Sequence, residues 1–69
     1  MAITLKAARI NRGLNQREAA KMLGVSVDTL SNYERGKSFP DVITIQRIEQ
    51  TYGYQYSDII FLPGITDKP

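Results

Sequence analysis

Apolar positions along the chain recur at intervals of three and four, and glycines interrupt them at short, regular distances. Thr4 can cap a first helix from Leu5 to about Arg12, with Leu5, Ala8 and Ile10 as apolar contacts and Gly13 as its stop. Asn15 can cap a second, Gln16 to Leu23, with Ala19, Ala20, Met22 and Leu23 inward and Gly24 closing it. Ser26 can cap a third, Val27 to about Arg35, with Leu30 and Tyr33 on one side and Gly36 at its end. Asp41, just after Pro40, can cap a fourth from Val42 to Tyr52. Val42, Ile45, Ile48 and Tyr52 then share one helical face, and that period outranks the β-branched run Val42-Ile43-Thr44-Ile45, which by propensity suits a strand.

Gly53 ends the fourth helix, and a final short turn is expected around Tyr56 to Phe61. Pro63 and Gly64 break the chain, so residues 63–69 read as a flexible C-terminal tail after a single domain over residues 1–62. The whole reads as an all-α, compact bundle of about five short helices.

Composition narrows the function. The 69 residues are 42% hydrophobic, enough for one small core. There is no Cys and no His, which removes disulfides, the usual zinc sites, thiol nucleophiles and His-based acid–base catalysis. No paired-carboxylate motif, phosphate-binding glycine loop or metal cluster appears either, so the reading is a non-enzyme with no metal, no cofactor and no small-molecule ligand. No apolar run approaches the roughly 18 residues of a membrane span, and the N-terminus has no long apolar stretch before its charges. The expectation is a cytoplasmic protein with no membrane partner.

The net charge of +2 conceals an asymmetry. Residues 1–37 carry seven basic side chains (Lys6, Arg9, Arg12, Arg17, Lys21, Arg35, Lys37) against three acidic ones (Glu18, Asp28, Glu34). Residues 38–69 carry Arg47 and Lys68 against Asp41, Glu49, Asp58 and Asp67. A basic first half suggests a polyanion-facing side, while a solvated basic surface would look the same by charge alone.

The stretch Gln16 to Lys37 supplies helix, glycine turn and helix, with Ala20 small enough for a steep crossing. Four pieces carry a resemblance: Leu14-Asn15-Gln16; Ala20-x-x-x-Gly24-Val25-Ser26; Leu30-Ser31-Asn32-Tyr33-Glu34-Arg35-Gly36; and Pro40 before a helix ending Tyr52-Gly53. In their order and spacing, from about Leu5 to Ile60, the chain resembles the phage-repressor family of helix-turn-helix proteins, the Cro/cI-like or XRE-type DNA-binding domains. The resemblance implies a lambda-repressor-like fold with the helix-turn-helix at helices 2 and 3.

It also implies a set of roles. The second helix of the motif would enter the DNA major groove, with Val27, Asp28 and Asn32 reading base edges and Thr29 and Ser31 flanking them. Val27 suits a thymine methyl or a core contact. Asp28 can accept from a cytosine amine, or simply favour the helix dipole; Asn32 can pair with adenine or reach a phosphate. Gln16 begins a helix whose unpaired N–H groups make a phosphate seat, or is an ordinary first-turn residue. Arg17, Ser26, Ser31, Lys37 and Ser38 are phosphate donors around that surface, or solvated. Arg9 and Glu34 match a family ion pair that orients the recognition helix.

Three positions depart from the family pattern: Ala19 where a larger apolar residue is usual, Glu49 where a small one is common, and Gln55 where a Ser or Asp cap is usual. The resemblance implies a small bacterial or phage-encoded transcriptional regulator, a repressor of phage or mobile-element type acting on an inverted repeat. With no second domain in these 69 residues to hold an inducer pocket or self-cleavage site, control by its own concentration is expected. A homodimer would set two recognition helices about 34 Å apart. Tyr54, Tyr56, Ile60, Phe61 and Leu62 either supply the dimer surface or close the monomer core. An antitoxin-type or restriction-modification controller, or a protein-interaction module on the same scaffold, are the alternatives.

Overall fold

A computed structural model of the protein describes residues 2–61. The expected tail and Leu62 lie outside the described residues. The elements are β1 (Ile3–Thr4), α1 (Leu5–Asn11), α2 (Gln16–Leu23), α3 (Val27–Arg35), α4 (Val42–Tyr52), a 3-10 turn (Tyr56–Asp58) and β2 (Ile59–Ile60).

Each α-helix starts where a short polar side chain can accept from the first turn. Thr4 Oγ1 accepts from the Ala7 N–H at 3.1 Å, Ser26 Oγ from Thr29 at 3.1 Å, and Asp41 Oδ1 from Thr44 at 2.8 Å. Asn15 does the same to Glu18 at 2.7 Å, while Glu18 Oε1 accepts from the Asn15 N–H at 3.0 Å, a complete capping box. Such caps contribute about 1 kcal/mol apiece and fix the frame in which each helix begins.

The core is Leu5, Ala8, Ala19, Ala20, Leu23, Leu30, Ile48, Tyr52 and Ile59, with Ile3, Leu14, Val25, Tyr33, Tyr54 and Phe61 packed around it. α2 packs on α3 and on α4, and α1 packs on α3. Three inward assignments fail. Ile10 and Met22 are 56% and 55% exposed, since each follows a buried alanine (Ala8, Ala20) by two residues, about 200° round the helix. On α4 the buried line is Thr44, Ile48 and Tyr52 at steps of four, so Val42 is left 69% exposed.

The end of the domain also differs from a fifth α-helix. The expected turn is a 3-10 turn of three residues, after which Ile59 and Ile60 extend and pair in parallel with β1, Ile3 opposite Ile59 and Thr4 opposite Ile60. The isoleucines favour that extended backbone, and the pairing ties the two ends of the described chain together. Two of the odd positions explain each other here. Gln55 makes no side-chain cap, and Glu49 Oε2 instead accepts from the Tyr56 N–H at 2.7 Å. Ala19 is fully buried. Among the described residues, no helix is long and apolar enough to cross a membrane.

Candidate nucleic-acid interface

The turn between α2 and α3 is built on Gly24, whose φ of +75° is costly for any residue with a Cβ. The Val25 N–H then reaches back to the Ala20 carbonyl at 3.0 Å, and Ser26 starts the next helix. A second constraint acts at the same glycine: a Cβ there would collide with the Arg47 guanidinium, whose Nη1 donates to the Leu23 carbonyl at 3.3 Å. Arg47 thus satisfies one of the C-terminal carbonyls of α2 from α4 and favours the negative end of that helix. Nothing in the local pattern around Arg47 signals this role; the missing Cβ at Gly24 is its only trace in the sequence.

α3 buries Leu30 and Glu34 and leaves the other side open. Val27, 40% exposed, and Asp28 face solvent at its N-terminal end, and Thr29, Ser31 and Asn32 are half-buried. Ser26 Oγ donates to Thr29 Oγ1 at 2.9 Å while accepting from the Thr29 N–H, so its hydroxyl is engaged in the cap. Asn32 Oδ1 accepts from Arg35 Nη2 at 3.0 Å. The Asn32 carbonyl accepts from the Lys37 and Ser38 N–H groups at 2.8 and 3.4 Å, which fixes the backbone of both residues while their side chains stay exposed.

Glu34 gathers the neighbouring elements. Arg9 Nε and Nη2 donate to its two oxygens at 2.7 and 3.2 Å, and Arg9 Nη1 donates to the Leu14 carbonyl at 2.9 Å. Gln16 Nε2 donates to Glu34 Oε1 at 3.0 Å. The first residue of α2 is therefore held against the end of α3. Arg9 is withdrawn from the surface charge, and exposed Arg17, Lys21, Arg35 and Lys37 carry the basic character of these two helices and the loop after them.

A second surface is apolar. Phe39, Val42, Ile45, Gln46, Glu49 and Tyr56 line an open groove of about 470 Å³. Phe61 extends it, its ring 4.9 Å from that of Phe39 and 5.4 Å from that of Tyr56. Tyr54 turns the other way, packs against the core and accepts from Asn11 Nδ2 at 3.2 Å.

This capped helix–turn–helix, with one open face on its second helix, defines a class. The chain belongs to the helix-turn-helix family, whose model matches residues 5–59. Within it the chain is of the phage-repressor-like XRE type, a family of DNA-binding transcriptional regulators. It is similar to the HTH-type transcriptional regulator PuuR of Escherichia coli, 32% identical over 65 residues, which cover 94% of this chain and 35% of that protein. It is 30% identical over 56 residues to the cryptic phage CTXphi transcriptional repressor RstR of Vibrio cholerae, covering 81% of this chain and 50% of RstR. It is 42% identical over 48 residues to the HTH-type transcriptional regulator ImmR of Bacillus subtilis, covering 70% of this chain and 38% of ImmR. The chain thus spans about a third to a half of the length of these relatives. No solved structure matches significantly.

Proposed function

We propose that this chain binds double-stranded DNA with α3 in the major groove and acts as a transcriptional repressor of phage or mobile-element type. The observation that carries this reading is the asymmetry of α3. Leu30 and Glu34 anchor one side, and Val27, Asp28, Thr29 and Asn32 occupy the side left for base edges. The N-terminus of α2 at Gln16, with Arg17, Ser31, Lys37 and Ser38, supplies donors for the flanking phosphates. Ser26 serves the same contact by fixing where α3 begins. Arg9 and Glu34 have a structural role.

A homodimer on an inverted repeat completes the reading. One module of this size buries roughly 600–1,000 Å² on DNA, which suits only modest affinity. The exposed apolar side chains Phe39, Val42 and Tyr56, which line one groove, offer the face for a second copy. Footprinting on DNA selected from a random pool tests both parts at once. Protection of two half-sites about one helical turn apart is expected. Weak binding without sequence preference would overturn the regulator, and protection of a single half-site by a monomer would overturn the dimer.

A further inference from the structure

Asp28, Asn32 and Arg35 stand at i, i+4 and i+7 on α3 and so form one stripe along its length. Arg35 is the last helical residue, where the helix would ordinarily recede from a groove. Its side chain leans toward the helix N-terminus, as helical side chains do. The guanidinium is thereby brought back to Asn32, where Nη2 donates to Oδ1 at 3.0 Å. A guanidinium has donors only, so it also settles which way the Asn32 amide lies: oxygen toward Arg35 and Nδ2 outward. Nδ2 has no hydrogen-bond partner among the described residues.

The consequence concerns which base this part of the helix can read. An asparagine recognises adenine by using both ends of its amide, the oxygen for the N6 amine and the nitrogen for N7. Here Arg35 occupies one of the oxygen's two lone pairs, and the guanidinium beside it brings N–H groups up to the place where adenine would present its own amine. The surface that Asn32 and Arg35 offer together is dominated by donors. Guanine presents two acceptors, N7 and O6, on its major-groove edge.

We propose that Asn32 and Arg35 act as one unit that selects guanine rather than adenine in each half-site, with Asn32 positioning the Arg35 fork. This rests on the reading of α3 as the major-groove helix. Asp28, at the other end of the stripe, is an acceptor, so the stripe runs from acceptor to donor along the groove.

The test is selection of bound duplexes from a random pool with the full chain, comparing wild type, Arg35→Ala, Arg35→Lys and Asn32→Ala. Arg35 is exposed, so its variants are expected to keep the wild-type unfolding midpoint, and circular dichroism checks this. Wild type is expected to select a guanine that Arg35→Ala no longer selects, with binding to the wild-type site weakened about tenfold. Arg35→Lys keeps the charge and can still donate to guanine but loses the planar fork, so it is expected to retain the salt dependence and to select guanine less strongly than wild type. Asn32→Ala relaxes the same position. Two results overturn the proposal while leaving DNA recognition intact. One is adenine at the position that Asn32→Ala relaxes. The other is an Arg35→Ala variant that selects the wild-type sequence with a salt slope lower by about one, the mark of a phosphate contact. Failure of wild type to select any sequence would overturn the underlying reading as well.

Discussion

Arg9 and Glu34 meet through two parallel hydrogen bonds, Nε to Oε2 at 2.7 Å and Nη2 to Oε1 at 3.2 Å, with side chains only 8% and 3% exposed. The pair joins α1 to the last turn of α3, and through Gln16 and the Leu14 carbonyl it holds the loop between α1 and α2 as well. A fork-to-carboxylate contact of this kind fixes orientation as well as distance. It sets the pitch at which α3 leaves the core.

Removing one partner leaves the other buried and uncompensated, which costs about 3–5 kcal/mol. A domain of this size has a total stability of roughly 3–10 kcal/mol. Arg9→Ala is therefore expected to shift the urea midpoint sharply down, and Arg9→Met with Glu34→Leu to recover much of the loss. An Arg9→Ala protein with an unchanged midpoint and no DNA binding would show that the pair acts on DNA instead.

Gly24 and Gly13 have nearly the same backbone, φ +75° and +73°, in different surroundings. A Cβ at Gly13 meets nothing within 4 Å, whereas one at Gly24 meets the Arg47 guanidinium. Gly13→Ala should cost only the left-handed conformation, about 1–2 kcal/mol. Gly24→Ala should cost more, because Arg47 must also release the Leu23 carbonyl. Denaturant titrations of both, and of Gly24→Ala with Arg47→Ala, separate the two effects. Equal losses at the two glycines would show that Arg47 moves aside freely.

The helix frame was legible because its determinants are local. Thr4, Asn15, Ser26 and Asp41 each act within three residues, and a period of 3.6 is visible in one short window. What was not legible depends on partners beyond the local window. Arg47 closing over Gly24 and Ile59 pairing with Ile3 are tertiary events, and Glu49 serving as the cap that Gln55 lacks depends on how the chain turns back after α4. Val42 misled for a related reason. A face drawn through Val42, Ile45, Ile48 and Tyr52 coincides with the buried line only at its C-terminal half. At the interface, Asn32 was identifiable as a candidate, but its bond to Arg35 and that of Gln16 to Glu34 needed coordinates.

Tyr52 is 1% exposed, and its hydroxyl has no hydrogen-bond partner among the described residues. Burial, with the Glu34 carboxylate adding to it and Arg9 opposing, pushes its ionisation up from 10.0 to about 12. The folded state thus disfavours the phenolate more than the unfolded state does. This contribution to stability is complete below about pH 10 and is lost as pH rises from there toward 12. Tyr52→Phe removes both the orphan hydroxyl and the titration. It is expected to be at least as stable as wild type at neutral pH and to lose less melting temperature above pH 10. Parallel alkaline melting curves would sink this assignment.

Asp41 titrates in the opposite sense. The Thr44 N–H, then the Thr44 hydroxyl, hold its carboxyl below the ordinary 3.8, and Arg47 adds to this. A lowered folded value means that the carboxylate stabilises α4 above about pH 4 and ceases to as pH falls through that lowered value. Asn caps as well as Asp but does not titrate there. Asp41→Asn should keep the neutral-pH stability and flatten the acid limb of the melting-temperature profile. Identical acid limbs would remove Asp41 as the source.

Lys37 and Gln16 are both proposed at phosphates, and they differ in a way that salt reveals. Lys37 is exposed, and its N–H is held by the Asn32 carbonyl at 2.8 Å, so the loop presents a charge from a fixed backbone. Neutralising a phosphate with a cation releases a counterion, and Lys37→Ala should lower the slope of log affinity against log salt by about one. Gln16 is neutral and already gives one N–H to Glu34 at 3.0 Å, leaving a second for a phosphate oxygen. Gln16→Ala should weaken binding at every salt concentration without changing the slope. Titrations of both variants on one operator at three or more salt concentrations decide the matter. A slope that moves with Gln16 or stays constant with Lys37→Ala would reassign the contact concerned.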